Sequence, residues 1–204
     1  MNYQQLFLQL IPKTLIDIGA HDGSFSWQVK KINPDCRIIM VEANPNCESE
    51  LKKVKADYEI LGLSAQVGTA DLYVEKKNKI ATGASLYLEN TEWYAQDKFE
   101  TITVNLDTLD NRNYFPNEVI DLIKMDVQGS ELDILLGGRK TIKRTKFVIL
   151  EVSTVEYNLG APLMDVVVKK MREYEFRIEE ILNFDKLGNG QIFQMDILFK
   201  NMYV

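Results

Sequence analysis

Three short segments rich in acidic residues and glycine follow apolar runs, and their residue types suit a ligand that carries positive charge. Residues 17–23 read DIGAHDG, so Gly19 and Gly23 allow a turn whose backbone can approach a ligand closely. The carboxylate of Asp17 favours a cationic or ammonium-bearing ligand over a phosphate. His21, the one histidine of the chain, lies in the same turn. The alternative is a purely structural glycine turn.

Glu42 ends the next apolar run, 23 positions after Gly19, where an acidic residue can accept hydrogen bonds from both hydroxyls of a ribose. The alternative is a surface carboxylate near the start of the helix that follows Asn44 and Pro45. The glycine spacing, with three residues between Gly19 and Gly23, matches neither the dinucleotide-binding fingerprint nor a P-loop. Ribose binding is therefore favoured over pyrophosphate binding.

Residues 121–131, DLIKMDVQGSE, form the third segment. Asp126 ends its apolar run, Gly129 breaks the strand pattern, and Glu131 opens a helix. Because ligands of open α/β sheets bind at the carboxyl ends of strands, we expect Asp126 to face the same crevice as the glycine turn. The alternatives are a turn cap for Asp126 and a helix-start charge for Glu131.

Composition restricts the class of protein. The chain has 204 residues, 46% of them hydrophobic and 26% charged, which predicts one soluble globular domain. The formal charge of −6 disfavours nucleic-acid binding through a basic face. Two cysteines and one histidine predict neither a disulfide framework nor a metal site. Without a long apolar run or a signal-peptide pattern, we expect a cytoplasmic protein with no membrane partner.

Apolar runs alternate with helical patterns along most of the chain, which predicts an α/β fold with a doubly wound, mostly parallel sheet and a C-terminal antiparallel hairpin. The hairpin is indicated by the turn residues 188–190, GNG. We expect one domain over 1–204, with a helical lead-in at 1–13 and a variable loop insertion at 75–98. The predicted strands are 14–18, 36–42, 58–62, 70–74, 101–106, 119–125, 147–152, 177–182 and 192–199, and the predicted helices are 24–32, 45–55, 130–138 and 162–174.

Two further segments have open interpretations. The polar stretch 75–97 predicts a long loop or loose hairpin, and long loops in compact domains are often functional. Within it, Trp93 and Tyr94 are candidates for lining an acceptor pocket or for packing at the base of the loop. The basic run at 139–146 predicts a solvated surface, with recognition of an anionic acceptor as the alternative.

Together these segments resemble the FkbM family of S-adenosylmethionine-dependent methyltransferases. The resemblance runs from about Leu15 to Val152, some two-thirds of the chain. Asparagine is common in the family where this chain has His21, and glutamate where it has Gln128. The resemblance is carried by residues 15–23, 41–45, Leu63, Ser64, Gly68, Leu72, Tyr73, 108–110 and 123–131.

The resemblance implies a Rossmann-like fold, S-adenosyl-L-methionine as cofactor, and methyl transfer, commonly to a hydroxyl oxygen of a sugar or polyketide. It implies a small-molecule or glycan partner and assigns no metal ligand. The motifs of the family also imply a role for each matching residue. The methionine end of the cofactor would be lined by Asp17, Gly19, His21 and Gly23, and Glu42 would hold the ribose. The adenine would be bordered by Leu63 and Ser64, and Asp126 would lie near the amino group or the methyl.

An alcohol acceptor must lose a proton, so a general base within hydrogen-bond reach is expected. The candidates are His21, Asp126 and Glu131. Imidazole is the usual base near neutral pH, yet His21 lies in the cofactor turn and can instead orient the methionine end. Two other functions stay open: a binding module for S-adenosylmethionine that transfers nothing, and an oxidoreductase that uses a nucleotide cofactor.

Overall fold

The computed structural model describes residues 2–89 and 98–204 and shows an α/β fold. Its helices and strands, in chain order, are α1 Tyr3–Leu10, β1 Thr14–Ile18, α2 Ser24–Ile32, β2 Arg37–Glu42, α3 Glu48–Leu51, β3 Asp57–Ile60, β4 Gly62–Leu63, β5 Gly68–Glu75, β6 Phe99–Asp107, α4 Leu109–Arg112, β7 Ile120–Met125, α5 Glu131–Gly137, α6 Arg139–Lys143, β8 Thr145–Ser153, α7 Met164–Glu173, β9 Phe176–Lys186 and β10 Ile192–Asn201.

Seven strands form the main sheet in the order β3-β2-β1-β7-β8-β10-β9. The first five are parallel, and β10 pairs antiparallel with both β8 and β9. The chain winds outward from β1 to β3 and then resumes on the other side of β1 with β7. The crevice between the carboxyl ends of β1 and β7 is thus the switch point at which such sheets bind ligands. The predicted fold class is confirmed.

Apolar side chains on both faces explain why the central strands are buried. All five residues of β1 are buried, and β7 is buried at every position except Asp121. On one face, α1 and α2 contribute Phe7 and Val29 to the apolar layer. On the other, α5 and α7 contribute Ile134 and Met171. Two buried faces fit a parallel strand, as the apolar runs predicted.

The helix predicted at 45–55 is wrong. A 3₁₀ turn at Pro45–Cys47 leads into the single turn of α3, which ends at Leu51. The Lys53 amide then bonds the Glu50 carbonyl at 3.0 Å, a tighter turn than an α-helix allows. The short helix lets the chain bury Val54 and reach β3 within a few residues.

Other predicted boundaries also differ from those of the structure. The strand expected at 58–62 divides, because β3 ends at Ile60 and β4 joins a separate three-stranded sheet of order β4-β6-β5. The helix expected at 130–138 is α5, and the basic residues after it form a second helix, α6. The strands expected at 70–74 and 101–106 belong to the antiparallel pair β5 and β6. Among the described residues, the structure contains no helix with the length and hydrophobicity of a membrane span.

Candidate cofactor and acceptor site

A cavity of about 430 Å³ lies at the carboxyl ends of the central strands. This volume lies in the usual range for small-molecule sites. Residues 81–86, which belong to the connection between β5 and β6, form part of its wall. Of the candidates from the sequence, five line the cavity: Gly19, His21, Glu42, Leu63 and Asp126. The remaining candidates, Asp17, Gly23, Ser64 and Glu131, are not among its lining residues.

The glycine turn after β1 lies directly against the end of β7. Gly19 has φ +73°, and a Cβ there would lie 1.9 Å from the backbone oxygen of Asp126. Gly23 has φ +77°, and a Cβ there would lie 2.6 Å from Val54 Cγ2. Gly19 is thus required where two backbone segments meet beneath the cavity, whereas Gly23 is required for packing against the chain after α3.

Asp17 is fully buried in β1, below the glycine turn. Its Oδ2 accepts a hydrogen bond of 2.6 Å from the Ser26 hydroxyl, and its Oδ1 has no partner among the described residues. Burial raises the pKa of Asp17, while the positive charge of Lys124 opposes that rise. Asp17 supports the site from beneath.

Glu42 lies at the end of β2 with 8% of its surface exposed. Its two oxygens accept backbone hydrogen bonds of 2.7 Å from His21 and Asn44. Burial raises the pKa of Glu42, and the two amide donors oppose that rise. Since an ionised carboxylate can accept about four hydrogen bonds, capacity remains for both hydroxyls of a ribose.

His21 holds the β5–β6 connection against the cavity. Its backbone is left-handed, with φ +52°, and its Nε2 lies 2.7 Å from the Ile80 carbonyl oxygen. Beside it, the Asn44 side-chain amide donates to the Lys79 carbonyl at 2.7 Å. The ring is therefore engaged by the wall of the cavity, which fits an orienting role better than that of a free base.

Asp126 and Lys124 form an ion pair at the end of β7. Lys124 Nζ lies 3.0 Å from Asp126 Oδ2, and the Gln128 side-chain amide donates to Oδ1 at 3.2 Å. Burial favours the neutral acid, but the charge and hydrogen bond of Lys124 hold the pKa of Asp126 below its usual value. Asp126 is thus an ionised carboxylate facing the cavity.

Glu151 also lines the cavity, and the sequence analysis did not select it. Its Oε2 accepts hydrogen bonds from the amides of Gln128 at 2.5 Å and Gln194 at 3.1 Å. Burial, with a smaller contribution from Asp126, raises the pKa of Glu151 to about 9. The available signal was one acidic residue near the end of the apolar run 147–152.

Glu131 is buried in the first turn of α5 and accepts backbone hydrogen bonds from Val127 at 3.2 Å and Gly129 at 3.3 Å. Burial raises its pKa to about 7. Glu131 thus shapes the loop that carries Asp126.

Ser130, just before Glu131, was not selected as a site residue in the sequence analysis. It lines the cavity, and its buried hydroxyl has no partner among the described residues.

Other sequence candidates lie elsewhere. Ser64 lies beside the cavity residue Leu63, and its backbone packs against Gly137 of α5. Trp93 and Tyr94 lie outside the described residues. None of the residues in the basic run 139–146 lines the cavity, so the described site gives no support to recognition of an anionic acceptor by that run.

The donor set fits S-adenosylmethionine, which carries a sulfonium, an ammonium and a ribose. Among the described residues that line the cavity, carboxylates outnumber cations, and the one lysine, Lys124, is already paired with Asp126. Ser130 offers an unpartnered hydroxyl at the wall, and Glu42 retains acceptor capacity. Gly19 lines the cavity as part of the turn after β1. The residues that would hold the cofactor are therefore present.

Comparison with known proteins agrees with this geometry. The family described as the methyltransferase FkbM domain matches residues 17–178, most of the chain. The 2-O-methyltransferase NoeI of Sinorhizobium fredii is 25% identical over 176 residues, covering 79% of this chain and 72% of that protein.

Two solved structures share the fold. The FkbM methyltransferase of Methylobacillus flagellatus has a TM-score of 0.59 at 14% identity, covering 98% of this chain and 48% of that one. Magnesium protoporphyrin IX methyltransferase of Synechocystis, solved with bound S-adenosylmethionine, has a TM-score of 0.55 at 9% identity, covering 98% of this chain and 77% of that one. The chain thus spans about half the length of the solved FkbM protein. It belongs to the FkbM family of S-adenosylmethionine-dependent methyltransferases.

Proposed function

We propose that the protein transfers a methyl group from S-adenosylmethionine to a hydroxyl oxygen of a small-molecule acceptor, with a sugar or glycan as the favoured class. One observation carries this proposal: Asp126, Gln128, Glu151 and Gln194 line one cavity together with Glu42. Carboxyl and amide groups of this kind recognise hydroxyls by hydrogen bonding. The 2-O-methyltransferase name of NoeI supports oxygen as the atom methylated.

The cofactor supplies an already activated methyl group, so the protein must orient the reactants and exclude water. Glu42 would hold the ribose, and the backbone of Gly19 and His21 would contact the methionine end. Asp126 would attract the ammonium or sulfonium. Residues 81–86 form part of the cavity wall, where they would limit access of water.

Aromatic contact also supports a sugar acceptor. Tyr157 lines the cavity, and its ring lies 5.5 Å from that of Phe193 between centroids. Aromatic rings present an apolar face to a ligand, and the apolar face of a pyranose packs well on such a surface. The excess of carboxylates disfavours phosphorylated acceptors and nucleic acids, whose charges would be repelled.

The test has two parts: calorimetry with S-adenosylhomocysteine, and transfer of labelled methyl from S-adenosylmethionine to a panel of neutral, aminated and phosphorylated sugars. We expect tight binding, and transfer to neutral or aminated sugars that yields a methyl ether. Asp126→Asn should reduce transfer at least ten-fold, whereas Asp71→Asn, on the exposed part of β5, should not. Binding without transfer to any hydroxyl compound would favour the non-catalytic module, and absence of binding would refute the proposal.

A further inference from the structure

Glu151 is a partly buried carboxyl of the cavity, and the cofactor-binding roles assign no task to it. It lies on β8, next to the β7 end that carries Asp126, and lines the cavity. Gln128 and Gln194 both donate to its Oε2. Because two amides fix this group in place, it is oriented before any ligand arrives.

The groups around Glu151 are mostly negative or neutral. The acids are Asp126 at the end of β7, Glu131 in α5 and Asp196 in β10, and Lys124 is the nearby cation. Lys124 is held by Asp126 at 3.0 Å. Two phenols also lie near Glu151, those of Tyr3 in α1 and Tyr157 before α7. A negative charge on Glu151 would contribute to raising the pKa of both phenols.

This environment keeps Glu151 protonated at neutral pH in the ligand-free protein, because burial and the neighbouring acids raise its pKa to about 9. Asp126, by contrast, is ionised, since the charge and hydrogen bond of Lys124 hold its pKa below the usual value. A carboxylate with a low pKa is a weak base, so Asp126 is poorly suited to take a proton from an alcohol. Glu151, once ionised, is much the stronger base of the two.

We propose that Glu151 receives the proton of the acceptor hydroxyl, and that it becomes a charged base only when a sulfonium occupies the cavity. This inference rests on the proposed function. A nearby positive charge favours the ionised form of a carboxyl, commonly by one to three pKa units. By linkage, the charged ligand must then release a proton from the protein as it binds.

The chemical step balances. The acceptor O–H bond breaks and its proton moves to Glu151, while the oxygen electron pair forms the new bond to the methyl carbon. The carbon–sulfur bond breaks, and its electrons leave sulfur as a neutral sulfide. The positive charge that favoured ionised Glu151 is therefore lost in the step that protonates this residue, so the proton is retained until the product leaves.

The test counts protons and needs no acceptor. Calorimetry at pH 8, in buffers of different ionisation enthalpy, gives the protons released when S-adenosylmethionine or S-adenosylhomocysteine binds. At this pH Glu131, with a pKa of about 7, is already ionised, while Glu151 is still protonated. If the sulfonium lowers the pKa of Glu151 by two units, the sulfonium ligand should release roughly 0.8 proton more than the sulfide.

Two variants assign the effect. In Glu151→Gln the excess proton release should vanish, while affinity for S-adenosylhomocysteine changes less than about three-fold. Glu131→Gln, an equally conservative change at a buried acid outside the cavity lining, should keep the excess. Equal proton release by the two ligands in the unaltered protein would overturn the inference, and so would an excess that survives in Glu151→Gln.

A measurement on the unaltered protein tests the inference even if the Glu151→Gln variant does not fold. Carbon-13 labelling of glutamate side chains should show one carboxyl that titrates near pH 9 and moves below pH 8 when S-adenosylmethionine is added. A spectrum with no glutamate titrating above pH 8 would also overturn the inference. If neither ligand binds, the proposed function fails instead, so the two failures are distinguishable.

Discussion

The side-chain amide of Gln128 donates a hydrogen bond to Glu151 across 2.5 Å. The backbone of Gln128 is left-handed, with φ +56°, and its carbonyl oxygen accepts from Ser85 at 2.9 Å and Asn158 at 2.8 Å. These bonds join the β5–β6 connection to the loop after β7 and direct the amide into the cavity. The same amide also donates to Asp126 at 3.2 Å, so one neutral donor serves two carboxyl groups that are themselves in contact.

Replacing that donor by an acid should destabilise the protein in a pH-dependent way. In Gln128→Glu a third, partly buried carboxyl group would lie beside Asp126 and Glu151, and its ionisation would be opposed by repulsion from them and by desolvation. We expect a loss of about 1–3 kcal/mol in the free energy of unfolding at pH 8, and a smaller loss at pH 6. Urea denaturation at both pH values measures this, and Gln191→Glu on the exposed hairpin is the control. Equal losses at both pH values would contradict the electrostatic explanation.

A matched pair of glycine substitutions tests the close approach of β1 and β7. Gly19 and Gly160 have similar left-handed backbones, with φ +73° and +77°, but a Cβ meets the Asp126 backbone only at Gly19. Gly160→Ala should cost about 1 kcal/mol from backbone strain alone. Gly19→Ala should cost at least about 2 kcal/mol more, because two backbone segments must separate.

Urea denaturation of both variants gives the comparison, and binding of S-adenosylhomocysteine should weaken only in Gly19→Ala. If the two substitutions cost the same, the contact between Gly19 and the end of β7 is not what requires glycine.

Local sequence signals predicted the first half of the site because its residues are consecutive. The apolar run at 14–18 and the helix at 24–32 have the bounds that the structure shows for β1 and α2. The turn between them must therefore lie at the end of a strand. The position of Glu42 is predicted in the same way, because it is the last residue of the next strand. The positions of Gly19, His21 and Glu42 at the strand ends therefore depend only on the local sequence around each of them.

Glu151 could not be predicted in this way, since its position depends on the order of strands. It reaches the cavity because β8 lies beside β7, with Leu150 opposite Met125 in the register. The wrong helix at 45–55 has a similar origin. Local helix propensity was overridden by the need to bury Val54 and begin β3 at Asp57.

Glu42 should be needed for cofactor affinity. Glu42→Gln removes the charge and places an amide donor against a backbone donor, either that of His21 or that of Asn44. A hydrogen bond to a charged group contributes about 1.5–3 kcal/mol, so affinity for S-adenosylhomocysteine should fall roughly 10- to 100-fold. Calorimetry measures this, with Glu118→Gln, at an exposed carboxylate paired with Arg37, as the control. Unchanged affinity in Glu42→Gln would remove the ribose assignment.

Glu131 should make the protein less stable as pH rises. Burial raises its pKa from 4.5 to about 7, so the folded state binds this proton more tightly than the unfolded state. For such an acid, the stabilisation is present at low pH and is lost as pH rises through the folded value. In Glu131→Gln the amide oxygen can still accept from the backbone of Val127 and Gly129, but no proton is released.

The variant should therefore lie close to the unaltered protein at pH 5 and exceed it by about 3 kcal/mol at pH 8, because a pKa raised from 4.5 to about 7 corresponds to a free energy of about that size. Urea denaturation across pH 5–8 tests this, with Glu118→Gln as a surface control whose pH dependence should stay close to that of the unaltered protein. If Glu131→Gln is less stable by the same amount at every pH, Glu131 stabilises its loop through its hydrogen bonds as a carboxylate, and burial does not disfavour its charge. A gain that grows from pH 5 to about pH 7 and then levels off would show that burial of this acid lowers the stability of the protein at neutral pH.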